Sequence, residues 1–287
     1  MRLLLVFVFI IGTYLGKSQN TGFQDLLLQS QEMLKGLNTY VMSGAKYPVD
    51  SINIPLDSIT SFPFGIENDS VYDYDLIEYY RYYAEELLLQ LFNHPDIMNY
   101  DFDELGLDEE IAISKDGKLQ MLNYYENHGG TYRGKRAFIQ YRPGDGSFIN
   151  LLDDNNEGPE LSEGVTGFYS DGYTSIYQLE TLAGTKYLIE GNVRGCSYCF
   201  SKYIQLLSYR NNQFYLEFEY HTESRDWGET IWVSEDLKTI EVFYQTDDLT
   251  PECNCKTLED GAMSRYDNPI DCKCIFEFNG VTYVKKE

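Results

Sequence analysis

The hydrophobic period changes once along this 287-residue chain, near residue 111, and that change constrains the fold more than any motif does. Before it, apolar side chains recur every three or four residues. After it, they recur every second residue. In the first part Phe23, Leu26, Leu27, Ser30, Leu34, Leu37 and Val41 follow helical spacing, with Thr21 placed to cap the start and Gly44 to end it. Residues 45–72 hold Pro48, Pro55 and Pro63 without a period and read as an irregular connection. A second helix is predicted from Leu76 to Asn93, with Ile77, Tyr80, Ala84, Leu87, Leu88 and Leu91 as its buried stripe. Asp75, followed three residues later by Glu78, has capping-box spacing. Pro95 stops this helix.

From Ile111 onward the chain reads as strands near 118–126, 134–142, 146–152, 173–182, 185–193, 201–209, 213–221, 229–234, 238–245 and 272–285. The cleanest alternation sets Phe214, Leu216, Phe218 and Tyr220 against Tyr215, Glu217 and Glu219. Asp116-Gly117, Ala183-Gly184, Asn211-Asn212 and Asn279-Gly280 supply turns, the last being the strongest hairpin signal because a type I′ turn needs positive φ twice. Connections this short exclude crossover helices, so the sheets are antiparallel. The predicted class is α+β. A helical region over 19–110 precedes an antiparallel β-meander over 111–287, in one or two curved sheets within one domain. The alternative is a partial or small β-propeller. A closed four-bladed one needs about sixteen strands, more than this pattern supplies.

Six cysteines fall in three close pairs: Cys196 with Cys199, Cys253 with Cys255, and Cys272 with Cys274. How they are read depends on residues 1–18. Arg2, an apolar run from Leu3 to Gly12, and small residues at Gly16 and Ser18 form the pattern of a cleaved signal peptide, leaving Gln19 first. The run is about half of the ~20 residues a membrane span needs, and no later segment is long and apolar enough to span. Behind such a leader an even cysteine count predicts disulfides. Residues two apart on a strand share a face. Antiparallel pairing of the two C-x-C segments therefore joins Cys253 to Cys274 and Cys255 to Cys272, pinning an insertion over 256–271. Cys196 then bridges Cys199. A redox-active C-x-x-C belongs between a strand and a helix, whereas strands flank Cys196 and Cys199. A four-thiolate zinc site is the other reading of the C-x-C segments, and an oxidising compartment favours disulfides over it.

The formal net charge is −24, and removing Arg2 and Lys17 with the leader makes it −26. Between Glu67 and Glu110 lie 14 acidic residues and one strong base, Arg81. Nucleic acid is a poor partner for such a chain, because phosphate neutralisation needs basic patches. A cationic partner, a cation, a neutral glycan or an envelope protein remains. The 26 tyrosines suit pleated sheets and also offer apolar faces with polar tips.

Two segments carry fragments of a calcium loop. Asp101, Asp103 and Gly106 start one but place Ala112 where the bidentate acid belongs. Asp153, Asn155 and Glu157 start another that ends on Gly164. The second is the candidate for a looser calcium site, and no other cofactor is expected. G-x-S-x-G and H-E-x-x-H are absent from the sequence. His94, His128 and His221 are scattered and read as surface or capping residues. Asp226 and Glu229 beside Trp227 and Trp232 are the one place where acids and indoles gather, as in a sugar site.

The stretch from Ser114 to Arg142 contains Asp116-Gly117-Lys118, then Asn123-Tyr124-Tyr125, Gly129-Gly130-Thr131 and Gln140-Tyr141. In these features it resembles a segment of uncharacterised secreted proteins from Gram-negative bacteria. The resemblance implies a β-rich envelope protein and assigns no residue roles. The leader, the strand meander and the missing catalytic signatures give the expectation of a secreted or periplasmic binding or interaction module without catalysis. The alternative is an extracellular glycan hydrolase using paired carboxylates.

Overall fold

A computed structural model describes residues 22–52, 54, 65–107, 110–127, 134–144, 149–151, 172–194, 199–224, 230–246, 253–257 and 270–286. The leader over 1–18 lies outside these. The fold is α+β, as expected, and the chain divides into two compact units, Met1–Leu107 and Asp108–Glu287.

In the first unit helix α1 (Phe23–Thr39) packs on helix α2 (Asp73–Phe92). Phe23, Leu26, Ser30, Leu34 and Leu37 are buried on α1, and Leu76, Ile77, Tyr80, Ala84, Leu88 and Leu91 on α2. Gly36 is required where the helices meet, because any Cβ there would overlap the Tyr80 ring. Helix α1 stops five residues before Gly44, and Val41 is exposed rather than part of the stripe. The cause lies thirty residues away. The buried Asp73 carboxylate accepts hydrogen bonds from the amides of Ser43 (2.7 Å), Gly44 (3.2 Å) and Ala45 (3.0 Å) and from the Ser43 hydroxyl (2.8 Å). Collecting three successive N–H groups needs a turn, so the helix ends first and Gly44 adopts φ +81° within the turn.

Three other expectations for this unit are corrected. Residues 45–72 contain strands β1 (Lys46–Pro48) and β2 (Ser70–Tyr72), paired antiparallel. Pro48 is tolerated because a two-stranded ribbon has only edge strands. Helix α2 begins at Asp73, and Asp75 does not cap it: its carboxylate accepts from the Gly65 amide, while Glu78 pairs with Arg81. The start of α1 is flanked by Gly22, with no side-chain cap. Reciprocal capping occurs instead at Asp101 and Glu104, opening a 3-10 turn (Phe102–Leu105) that Gly106 ends at φ +59°. Of the acids that start the calcium-loop fragment here, Asp101 is thus spent on a backbone amide. His94 does act as a cap, accepting from the Asp96 amide at 3.2 Å.

Among the described residues the second unit is built from three antiparallel sheets, none closed. The first orders β3 (Glu110–Ile113), β4 (Leu119–Tyr125), β5 (Lys135–Tyr141) and β6 (Ile149–Leu151) in sequence. The second is a meander of β7 (Tyr173–Thr181), β8 (Gly184–Arg194), β9 (Phe200–Arg210) and β10 (Gln213–Ser224). The third places β11 (Thr230–Val233), β12 (Thr239–Thr246), β14 (Ile270–Phe278) and β13 (Asn254–Thr257) side by side, with β15 (Tyr283–Lys285) also on β14.

One or two sheets were expected, and the reason for three is in the middle one. Strands β8 and β9 are apolar on both faces. Tyr187, Ile189, Tyr203 and Leu207 join a core with Leu119, Met121, Ile139 and Tyr141 of the first sheet. Leu188, Ile204 and Leu206 join another with Ile240, Val242, Cys274 and Phe276 of the third. A sheet with two apolar faces needs a layer on each.

Strand β10 serves both cores through a bulge. Its register against β9 shifts between Leu216 and Phe218, so Glu217 is the extra residue. Phe214 and Leu216 point to the first core, and Phe218 and Tyr220 to the second. The Glu217 carboxylate accepts from the buried Lys186 ammonium and from the Ser208 hydroxyl (2.6 Å). The same ammonium donates to the Val281 carbonyl (2.5 Å), and Thr282 donates to the Glu217 carbonyl (2.7 Å), tying the β14–β15 turn to the second sheet.

Two turns repeat one design. At Ser114–Leu119 and Ser234–Thr239 the serine hydroxyl donates to the aspartate two residues on (2.7 and 2.8 Å) and accepts from the amide five residues on (2.9 Å in both). A tyrosine hydroxyl fastens each turn: Tyr187 donates to Asp116 (2.9 Å) and Tyr283 to the Leu237 carbonyl (2.6 Å). Burial raises the pKa of both tyrosines, so these hydroxyls keep their protons throughout the ordinary pH range.

Two predictions follow from these anchors. Lys186→Met, leaving the mostly buried Glu217 with the Ser208 hydroxyl and the more distant Arg210 guanidinium at 3.7 Å, is expected to cost about 3 kcal/mol in urea denaturation, and the double change Lys186→Met with Glu217→Gln less. For Asp73, burial pushes the carboxyl pKa up, but bonds from Ser43, Ala45 and Tyr74 outweigh it and hold the group below its ordinary value. A depressed folded pKa means stability that is complete above the unfolded value of about 3.9 and is lost as pH falls through the folded one. Asp73→Asn should destabilise the protein at pH 7 and flatten the acid limb of a thermal-stability profile below about pH 4.

Candidate functional site

Strands β11, β12 and β14 bury every second residue in the core they share with the second sheet: Ile231 and Val233, then Ile240 and Val242, then Cys274 and Phe276. The intervening residues form the outer face. Each strand carries an apolar residue out of phase there: Trp232, Phe243 and Ile275. Register gathers them, because Trp232 lies opposite Glu241, and Glu241 opposite Ile275, while Phe243 follows Glu241 by two. Trp232 is 51% exposed and Phe243 37%. Val284 adds a further exposed apolar side chain from β15, opposite Glu277.

The polar residues of this face are paired with one another. Lys273 bridges Glu241 at 2.9 Å and places its ammonium 4.8 Å from the centre of the Phe243 ring. Lys286 bridges Glu277 at 2.5 Å, and Gln245 donates to Asp271 at 2.8 Å. The result is a flat surface with exposed rings, charges of both signs and little net charge, within a strongly acidic chain.

Behind this face lie the paired cysteines. Cys253 and Cys274 are joined, with Cα atoms 5.1 Å apart, and Cys255 and Cys272 likewise at 4.0 Å. This is the pairing that antiparallel C-x-C segments require. The bridges hold β13 against β14, and the Tyr220 hydroxyl from the second sheet sits 3.2 Å from the Cys274 sulfur. Cys199 is also disulfide-bonded. Its expected partner Cys196 lies outside the described residues, as do Trp227, Asp226 and Glu229 of the suggested sugar site and Asp153, Asn155 and Glu157 of the suggested calcium loop.

Trp232 is thus the one member of the acid-and-indole cluster within the described residues, and the structure sets it beside Phe243, Ile275, Glu241 and Lys273, which sequence reasoning missed. A usable signal was there. In Ile240-Glu241-Val242-Phe243-Tyr244 and in Cys274-Ile275-Phe276, as in Ile231-Trp232-Val233, an apolar residue interrupts the alternation. Pairing three interruptions needs the register, which only the fold supplies.

Two carboxylates have raised pKa values. Burial lifts Glu190, which accepts from the Tyr177 hydroxyl at 3.3 Å, and burial lifts Asp75 despite the Gly65 amide. Asp75 belongs to the first unit and Glu190 to the second. The first unit also has an open depression of about 730 Å³ lined by Val49, Ile52, Ile54, Asp50 and Asp69. Among the described residues, no group of three or more His, Cys, Asp or Glu side chains is arranged to hold a metal ion, and no helix is long and apolar enough to cross a membrane. No family model, curated protein or solved structure matches the chain.

The clasp yields a prediction. Replacing Cys253, Cys255, Cys272 and Cys274 together with serine opens a loop that the outer bridge closes over 21 positions and is expected to cost about 3 kcal/mol or more in urea denaturation. Mass-spectrometric thiol counting of the untreated protein should find the four clasp sulfurs oxidised.

Proposed function

We propose that this chain is a non-enzymatic binding module that works outside the cytoplasm, as an envelope or secreted protein, and that its ligand docks on the outer face of the third sheet. The observation that carries the reading is the convergence of Trp232, Phe243 and Ile275, each out of phase in its own strand, on one exposed surface. Isolated exposed apolar residues need no explanation, whereas several gathered on one face mark an interaction surface. The extracytoplasmic setting draws its support from the leader pattern, from the cysteine bridges and from the resemblance of Ser114–Arg142 to secreted proteins of Gram-negative bacteria. Trp and Phe offer broad contact area on an open sheet face, which favours recognition over chemistry that needs a deep cleft.

The test is binding of the purified protein to glycan and envelope-protein arrays, with release of reducing ends followed in parallel. The expected result is retention on one ligand class, lost in Trp232→Ala, without turnover. Hydrolysis of any glycan by the protein would overturn the non-enzymatic reading in favour of paired carboxylates.

A further inference from the structure

We infer that the ligand of this face is an uncharged polysaccharide, with sugar rings stacking on Trp232 and Phe243 and their hydroxyls bonded to Glu241 and Lys273; this rests on the docking face proposed above. Charge narrows the partner first. The chain carries −24 overall, so an anionic polymer is repelled wherever it approaches. A cationic partner is drawn to the acidic stretch between Glu67 and Glu110 rather than to a face where Glu241 and Glu277 are already matched by Lys273 and Lys286. What the face suits is a neutral ligand.

Desolvation then separates a glycan from a protein. The cores of protein interfaces are depleted in Lys and Glu, because sealing such a pair away from water costs more than the attraction returns. Here Glu241 lies between Trp232 and Ile275 on the neighbouring strands, two residues from Phe243, and Lys273 beside Phe243 pairs with it. A dry protein contact, whether from another protein or from a second copy, would have to bury the pair. Sugars do not impose that cost. Their hydroxyls donate to the carboxylate and accept from the ammonium, and water stays in the contact. Their axial C–H faces match the rings. The patch crosses three neighbouring strands, about 10 Å at the usual spacing, which favours a short run of sugar rings over a single monosaccharide.

The experiment is affinity electrophoresis of the full chain in native gels containing neutral polysaccharides (glucans, mannans, xylan) or anionic ones (alginate, polygalacturonate). The expected result is retardation by at least one neutral polymer and by no anionic one. Trp232→Ala and Phe243→Ala should each weaken it by about tenfold or more, Glu241→Gln by less, and Trp232→Phe should retain most of it. Circular dichroism and melting of each variant separate lost binding from lost folding. Retardation by anionic polymers alone, or neutral retardation untouched by both aromatic changes, overturns the inference. If Trp232→Ala abolishes capture of an arrayed protein while no polysaccharide retards the chain, the ligand class is wrong and the docking face stands. If sedimentation shows a dimer that Trp232→Ala dissociates, the face joins two copies and the inference falls. If neither polymer, protein nor second copy responds to Trp232→Ala, the docking face falls as well.

Discussion

Glu217 occupies the extra position of a β-bulge, and the buried Lys186 ammonium beside it holds that position in place. Because side chains alternate along a strand, one inserted residue moves everything beyond it to the other face. Strand β10 therefore gives Phe214 and Leu216 to one core and Phe218 and Tyr220 to the other. The second core is then closed by aromatic contacts, with Phe218 against Phe276 at 5.1 Å and Tyr220 against Phe276 at 5.0 Å. Without the bulge, Phe218 and Tyr220 would follow Phe214 into the first core, and the third sheet would lose the contacts that seat it. The same ammonium, together with the Glu217 backbone carbonyl, also fastens the turn before β15. The position of the candidate binding face thus rests on a charged pair in a neighbouring sheet.

Much of the β region was legible because its signals are local. Strand 173–182 is found as Tyr173–Thr181, and 238–245 as Thr239–Thr246. Asn211 and Asn212 both adopt positive φ, as a two-residue hairpin turn demands. The errors share a different cause, which is partners distant in the chain. The end of α1 is decided by Asp73, and the role of Asp75 by Gly65. The bulge is the sharpest case. Phe214, Leu216, Phe218 and Tyr220 alternate without interruption, so nothing in the strand itself distinguishes one buried face from two. The difference appears only in the register against β9, with Lys186 available to neutralise Glu217.

The candidate site was legible in part for the same reason. The spacing of Cys253 and Cys255, and of Cys272 and Cys274, implied a shared face and a single antiparallel pairing, and the bridges follow it. Trp232 stood out as one of two tryptophans. Phe243 and Ile275 did not, because an apolar residue inside an apolar run reads as more core. Only the neighbours across the ladder show that they point outward.

Clasp and face then become parts of one device. Lys273 lies between Cys272 and Cys274, which are both bridged and buried. Its side chain must leave the opposite side of the strand, toward Glu241 and Phe243. A lysine is ordinarily among the costliest side chains to hold still. Here the backbone beneath it is fixed covalently on both sides, and its head is held by a carboxylate at 2.9 Å and a ring at 4.8 Å. A surface organised in this way before the ligand arrives gives up less entropy on binding. The disulfides and the aromatic patch, on opposite faces of β14, therefore act in series: the bridges hold the strand, the strand aims Lys273, and Lys273 with Glu241 sets the polar centre between the rings.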